Sequence, residues 1–126
     1  MKVADVCSYE IDILPPDATA QQAAVAMGDL SARTLLIGTA DTLAGIVTDR
    51  DLVIRLVARG LDPATTPVEA VMSTDVYSCR ADADLDEVQA EMRSRQVRRA
   101  PVVDEAGRTI GLLEIIATAP AGNGPA

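Results

Sequence analysis

The chain has 126 residues, of which 48% are apolar, and it contains no Phe and no Trp, so its core must be built from Val, Ile, Leu, Ala and Met. A net charge of −8 opposes binding to a nucleic-acid backbone or to an anionic membrane surface. Tyr9 and Tyr77, the only aromatic residues, leave almost no surface for stacking on bases.

In chain order, Ile11 to Leu14 reads as a short strand closed by Pro15-Pro16, after which Asp17 and Thr19 offer helix caps. Ala20, Ala23, Ala24, Met27 and Leu30 follow at helical spacing. Thr34 to Ile37 is a buried strand, Gly38 to Thr42 a hairpin turn, and Leu43 to Thr48 the next strand. Asp49 to Arg59 is predicted helical, with Leu52, Val53, Leu56 and Val57 on its inner face and Gly60 in the helix-ending position. Residues 61–67 form a linker rich in Pro and Thr. Val68 to Met72 is a short helical lead-in that matches Val3 to Cys7. Val76 to Cys79 is predicted as a strand. Leu85, Val88 and Met92 form a helix face, and Ala100 to Val103 and Thr109 to Leu113 form a second hairpin around Asp104 to Gly107. A last helix after Ile115-Ile116 is cut short by Pro120, and the Gly/Pro/Ala tail, 120–126, is expected to be disordered.

The order of elements is therefore written twice. Val6, Asp17, Met27, Arg33 and Ile37 recur as Val71, Asp82, Met92, Arg98 and Val102, all at an offset of 65, and Gly45 recurs as Gly111. Residues 1–60 and 68–119 are the two repeats. A unit of roughly 60 residues buries only about 60% of its unfolded surface, so the halves are expected to fold as a pair. The groove between them is the place to look for a ligand.

The chemistry concentrates at Gly45-Ile46-Val47-Thr48-Asp49-Arg50-Asp51, where a buried strand gives way to a helix. Unpaired N–H groups at a helix start favour anions. Thr48 can add a hydroxyl, and the Asp51 carboxylate suits paired ribose hydroxyls. Thr48-x-x-Asp51 also reads as a capping box, and the two roles are compatible. The matching segment of the second repeat carries Glu114 for Thr48 and Ala117 for Asp51, so a nucleotide is expected to favour the first-repeat motif. Arg98-Arg99, entering a buried strand, suits a phosphate or a solvated helix end. Cys7 and Cys79 are read as small core residues, with a redox pair as the alternative. With no His, a closed zinc site is not expected. Nor is catalysis, since no nucleophile-and-base motif and no Gly-rich phosphate loop is present.

The run from Gly45 to Asp51, the run Gln96-Val97-Arg98-Arg99-Ala100-Pro101-Val102-Val103-Asp104, and Val71-Met72-Ser73 followed by Val76 together resemble a tandem pair of CBS domains, named after cystathionine β-synthase. The run from Thr48 to Pro63 is most similar to small stand-alone pairs of the bacterial hypoxic-response and stress type. The resemblance covers about Val3 to Thr118. It implies an α/β fold of two β-α-β-β-α repeats packed through their sheets with pseudo-twofold symmetry, and a non-catalytic regulatory module. It also implies a homodimer, a protein target in trans, and an adenosine-containing ligand such as AMP, ADP, ATP or S-adenosylmethionine. By position, Thr48 would meet phosphate or ribose and Asp51 the ribose hydroxyls. Ile11, Ile13, Leu36 and Ile46 would wall the adenine, with Arg33 and Arg50 on phosphate. Val76, Ser78, Arg98, Pro101 and Leu112 fall at the matching places of a second cleft. The competing reading is a ligand-independent dimerisation or stress-interaction module. No apolar run reaches the roughly 20 residues of a membrane span. Lys2 and Asp5 argue against a signal peptide, and a cytoplasmic location is expected.

Overall fold

The computed structural model describes residues 1–115. The expected last helix and the tail, 120–126, lie outside the described residues. Two three-stranded sheets form, each with the same internal order. In the first, β1 (Ile13–Leu14) runs parallel to β2 (Thr34–Gly38), and β2 runs antiparallel to β3 (Leu43–Thr48). In the second, β4 (Cys79–Arg80), β5 (Arg99–Val103) and β6 (Thr109–Glu114) repeat that arrangement. The helices α1 (Ala20–Leu30) and α3 (Leu85–Ser94) connect the first two strands of each sheet.

Each helix starts where its sequence offers a cap. Thr19 accepts from the Gln22 N–H at 3.0 Å, while the Gln22 side chain accepts from the Thr19 N–H at 2.9 Å. Asp84 accepts from the Glu87 N–H at 3.1 Å. The turns that leave the two helices share an unusual backbone: Ser31 (φ 53°) and Gln96 (φ 59°), equivalent in the repeat, both sit in the left-handed region that normally selects glycine.

Strand alternation then splits the side chains between two places. Leu35 and Ile37 enter one core with Ala20, Ala23, Met27 and Val47. Ala100 and Val102 enter another with Val88, Met92 and Leu113. Leu36 and Pro101, at the intervening positions, are buried yet belong to neither core. They mark the opposite face of each sheet, the seam along which the halves pack. The hairpin tips also join: Thr109 N–H donates to the Ala40 carbonyl at 2.8 Å, and Arg108 pairs with Asp41 at 2.9 Å.

The lead-in segments cross between halves. Val68 and Val71 complete the core of the first repeat, and Val3 completes that of the second. Val68 N–H donates to the Ala18 carbonyl at 2.7 Å, and Val3 N–H donates to the Ala83 carbonyl at 3.0 Å. Further on, Ser73 exchanges both backbone hydrogen bonds with Ile46 of β3, and Ser8 does the same with Leu112 of β6. Glycine makes this approach possible. A Cβ at Gly45 would lie 2.6 Å from the Ser73 carbonyl oxygen and 2.7 Å from Met72 Sδ, and one at Gly111 would lie 2.7 Å from the Ser8 carbonyl oxygen.

Two sequence expectations are corrected. Val76 precedes β4, which is confined to Cys79–Arg80 because only those residues pair with β5. The helix from Asp49 does not bury four apolar residues. Its α-helical turn, α2 (Asp49–Leu52), continues as a π-helical segment, Val53–Val57, and only Leu52 and Leu56 reach the core. Val53 and Val57 are 59% and 69% exposed, because no element among the described residues covers the neighbouring face.

The crossing contacts set a test. Gly45→Ala is expected to cost about 1–3 kcal/mol, since the obstructing atom is a backbone carbonyl. Gly28→Ala, whose Cβ meets nothing within 4 Å, is expected to gain about 0.5–1 kcal/mol from helix propensity. Urea unfolding measures both; a Gly45→Ala chain as stable as the parent would remove steric necessity as the reason for this glycine.

Candidate functional site

Two clefts open along the seam, and each is built from both repeats. One, of about 280 Å³, is lined by Ser8, Glu10, Ile11, Asp12, Ser31, Ala32, Arg33, Thr34 and Leu36 together with Leu112 and Glu114. The other, of about 200 Å³, is lined by Ile46 and Thr48 together with Ser73, Asp75, Val76, Tyr77, Val97, Arg98 and Arg99. The cause lies in the backbone exchange described above. Ser73 pairs with Ile46 and Ser8 with Leu112, so each third strand is laid against the other repeat's first segment.

The predicted site residues are therefore divided. Ile11, Arg33 and Leu36 line the larger cleft, whereas Ile46 and Thr48 line the smaller one. Ile13, Arg50 and Asp51 line neither. Ile13 is half-buried in β1 opposite Leu36, and Arg50 is exposed on α2. Of the residues expected in a second cleft, Val76 and Arg98 join Ile46 and Thr48, Leu112 joins Ile11, Pro101 is buried in the seam, and Ser78 lines neither cleft. Grouping by repeat is thus replaced by grouping across repeats.

Thr48 and Asp51 form the capping box. Thr48 N–H donates to Asp51 Oδ2 at 2.9 Å, and Asp51 N–H donates to Thr48 Oγ1 at 3.2 Å. The Asp51 side chain is 15% exposed, and its other oxygen lies 3.9 Å from Arg55 Nη2. The Thr48 hydroxyl accepts in this box and keeps its own proton to donate into the cleft.

Arg55 is a residue that sequence reading missed. Its Nη1 donates to the Val71 and Met72 carbonyls at 3.2 and 3.0 Å and to Ser73 Oγ at 3.2 Å. It ties the helix after Thr48 to the chain that forms the facing wall. The signal was its position four residues after Asp51, an ion-pair spacing on a helix. Tyr77 and Asp75 were missed as lining residues because the crossing of the lead-ins was not anticipated. The Arg95 guanidinium stacks over the Tyr77 ring at 4.7 Å, which fixes the ring at the cleft wall. Burial pushes the Tyr77 hydroxyl pKa upward.

The two clefts differ in charge. Among the described residues, Arg98 and Arg99 face the smaller one, with Asp75 as its one acid. Glu10, Asp12 and Glu114 face the larger one, with Arg33 as its one base among the described residues. The smaller cleft suits an anionic group and the larger does not.

The sequence pattern of the CBS domain matches residues 3–58 and again residues 68–115. The chain belongs to the CBS-domain family. It is 33% identical over 103 residues to the CBS domain-containing protein YhcV of Bacillus subtilis, spanning 82% of this chain and 73% of that protein. It is 38% identical over 78 residues to Hypoxic response protein 1 of Mycobacterium tuberculosis, spanning 62% of this chain and 54% of that protein. The crystal structure of Hypoxic Response Protein I with two coordinated zinc ions superposes with a TM-score of 0.78 at 32% identity, covering 90% of this chain and 93% of that one. A CBS-domain signal-transduction protein from Burkholderia ambifaria, itself assigned that role provisionally, superposes with the same score at 27% identity, covering 89% and 84%. The fold is thus a CBS pair, and such pairs are in general regulatory modules. This chain has no His, and among the described residues no three Cys, Asp or Glu side chains converge as metal ligands. Among the described residues, no helix is long and apolar enough to cross a membrane.

Both cysteines are free thiols within the second core's surroundings, Cys79 buried and Cys7 half-buried. Burial, with a smaller contribution from the nearby Cys7 sulfur, pushes the Cys79 thiol up to about 11 from its ordinary 9.0. The unfolded chain therefore releases this proton first as pH rises. Folding stability is expected to fall between about pH 9 and 11 and to be insensitive to this group below pH 9. Urea unfolding across that window should show the fall in the parent, and a smaller one in Cys79→Ala. Equal slopes in the two proteins would show that the buried thiol is not its source.

Proposed function

We propose that the chain is a non-catalytic regulatory module that binds an adenosine-containing ligand in the smaller cleft, the one carrying the first-repeat motif. The observation that carries this reading is the charge contrast: two arginines against one acid there, three acids against one arginine in the other cleft. The arginines favour the phosphate-bearing candidates, AMP, ADP and ATP, over S-adenosylmethionine. In this reading Arg98 and Arg99 hold phosphate, the Thr48 hydroxyl donates a further hydrogen bond, and Ile46, Val76 and Val97 enclose the base beside Tyr77. Asp51 acts first on Thr48 and Arg55, and thereby on the shape of the wall. Binding would shift the population of arrangements between the repeats and so change the surface offered to a protein target in trans.

A charge-assisted hydrogen bond contributes about 1.5–3 kcal/mol, so Arg98→Gln is expected to weaken AMP binding by about tenfold or more. Isothermal calorimetry with parent and variant measures it. Equal affinities would exclude Arg98 from the phosphate contact, and absence of AMP binding to the parent would end the nucleotide reading.

Self-association has its own support. Val53, Ile54, Val57 and Leu61 expose a run of apolar side chains along and after the π-helical segment, and Val25 and Leu30 are exposed on α1. An apolar stripe of this kind on a small acidic protein suits a second copy of the chain. Ile54→Asp with Val57→Asp is expected to convert a dimer to a monomer in sedimentation velocity, with the far-ultraviolet spectrum unchanged. A parent that is monomeric at high micromolar concentration would exclude the homodimer.

A further inference from the structure

The wall between the clefts is a cross-strand ladder. Arg99 stands opposite Glu114 in the β5–β6 register, and its Nε donates to Glu114 Oε2 at 3.1 Å. The two members of this pair face different clefts: Arg99 lines the smaller, and Glu114 the larger. The corresponding pair of the first repeat is Thr34 opposite Thr48, again one residue to each cleft, and uncharged. Thr34 Oγ1 is buried without a hydrogen-bond partner among the described residues. Of the four side chains in this ladder, only Arg99 and Glu114 are charged, and they are ion-paired with each other.

That pair is exchangeable. Arg99 is 26% exposed and Glu114 55%, and a partly hydrated pair is held weakly. Among the described residues, Glu114 is the one side-chain acceptor that Arg99 has, so an anion in the smaller cleft must draw on a guanidinium already held by that carboxylate. An anion entering there competes with Glu114 for the same guanidinium. If it wins, Glu114 is left unpaired beside Glu10 and Asp12.

We propose that Glu114 sets the phosphate affinity of the neighbouring cleft by holding Arg99, so that the two clefts are coupled through one ion pair. This rests on the nucleotide reading of the smaller cleft. By linkage, a hydrogen-bond donor or cation that engages Glu114 from its own cleft raises phosphate affinity next door, and phosphate raises affinity for that donor by the same factor. The first repeat's Thr34–Thr48 pair carries no charge to exchange, so the coupling runs through the second repeat alone.

The test is a double-mutant cycle on AMP binding, read by calorimetry with the parent, Glu114→Gln, Arg99→Gln and the double variant. Glu114→Gln is expected to bind AMP about fivefold more tightly than the parent, a coupling of the size found between linked sites. In the Arg99→Gln background the same change is expected to have no effect. If Arg99→Gln does not fold, Arg99→Lys takes its place, and the expected gain shrinks because the bidentate fork is lost. Equal AMP affinity in parent and Glu114→Gln overturns the coupling and leaves the nucleotide reading intact. An undiminished gain on an Arg99→Gln or Arg99→Lys background also overturns it, since that is the result of removing one negative charge anywhere nearby. If none of the proteins binds AMP, both readings fall together.

Discussion

The structure depends on a reciprocal backbone exchange. Each lead-in segment leaves its own repeat, supplies a valine to the other repeat's core, and pairs with that repeat's third strand. Neither core is complete without residues from the other half: Val68 and Val71 in one, Val3 in the other. This turns the marginal size of each repeat into a reason for pairing. It also fixes the relative position of the sheets, because Ser73 at Ile46 and Ser8 at Leu112 are two backbone clamps, one on each sheet's third strand. A clamp of this kind needs a strand without a side chain at the crossing point, and Gly45 and Gly111 supply it.

The clefts follow from the same exchange. Because each third strand is flanked by the other repeat's first segment, every cleft combines the end of one repeat's third strand with the helix-leaving turn of the other. Thr48 therefore meets Arg98, and Glu114 meets Arg33. The chemistry of a cleft is decided by two distant stretches of chain, and a change in either repeat alters a cleft it only half owns.

Much of this was legible in the sequence. The duplication, the order of elements, the capping box at Thr48 and the departure at Glu114 were all readable from spacing and residue type. The destination of the lead-ins was not, and the duplication itself hides it. Val3 and Val68 are equivalent, so either would satisfy either core, and the pattern is identical whether the segments stay at home or cross. As a result Ile11, Arg33 and Leu36 were grouped with Ile46 and Thr48, although the structure puts them in separate clefts. Val53 and Val57 were expected to be buried because they follow helical spacing beside Leu52 and Leu56. Periodicity cannot show which of two adjacent apolar stripes finds a neighbour. Asp51 reads as a ligand group and a cap at once; of these the structure shows the cap, and beside it Arg55, whose own role depends on three acceptors at Val71, Met72 and Ser73.

The two halves share their backbone devices and differ in the charge they turn toward the clefts. Positions that set the backbone are matched: glycine at the crossings, and a left-handed residue after each long helix at Ser31 and Gln96, even though neither is glycine. The differences that change charge at the clefts lie on the sheet faces turned toward them, where Thr34 and Thr48 stand against Arg99 and Glu114. Those side chains are outside both cores, so changing them costs little packing energy. A symmetric scaffold can thus carry clefts of opposite charge. Opposite charge in turn is what allows one arginine and one glutamate, each belonging to a different cleft, to neutralise each other across the wall. Had the second repeat kept a threonine at the position of Glu114, Arg99 would have no carboxylate opposite it, and the state of one cleft would have no charged route to the other.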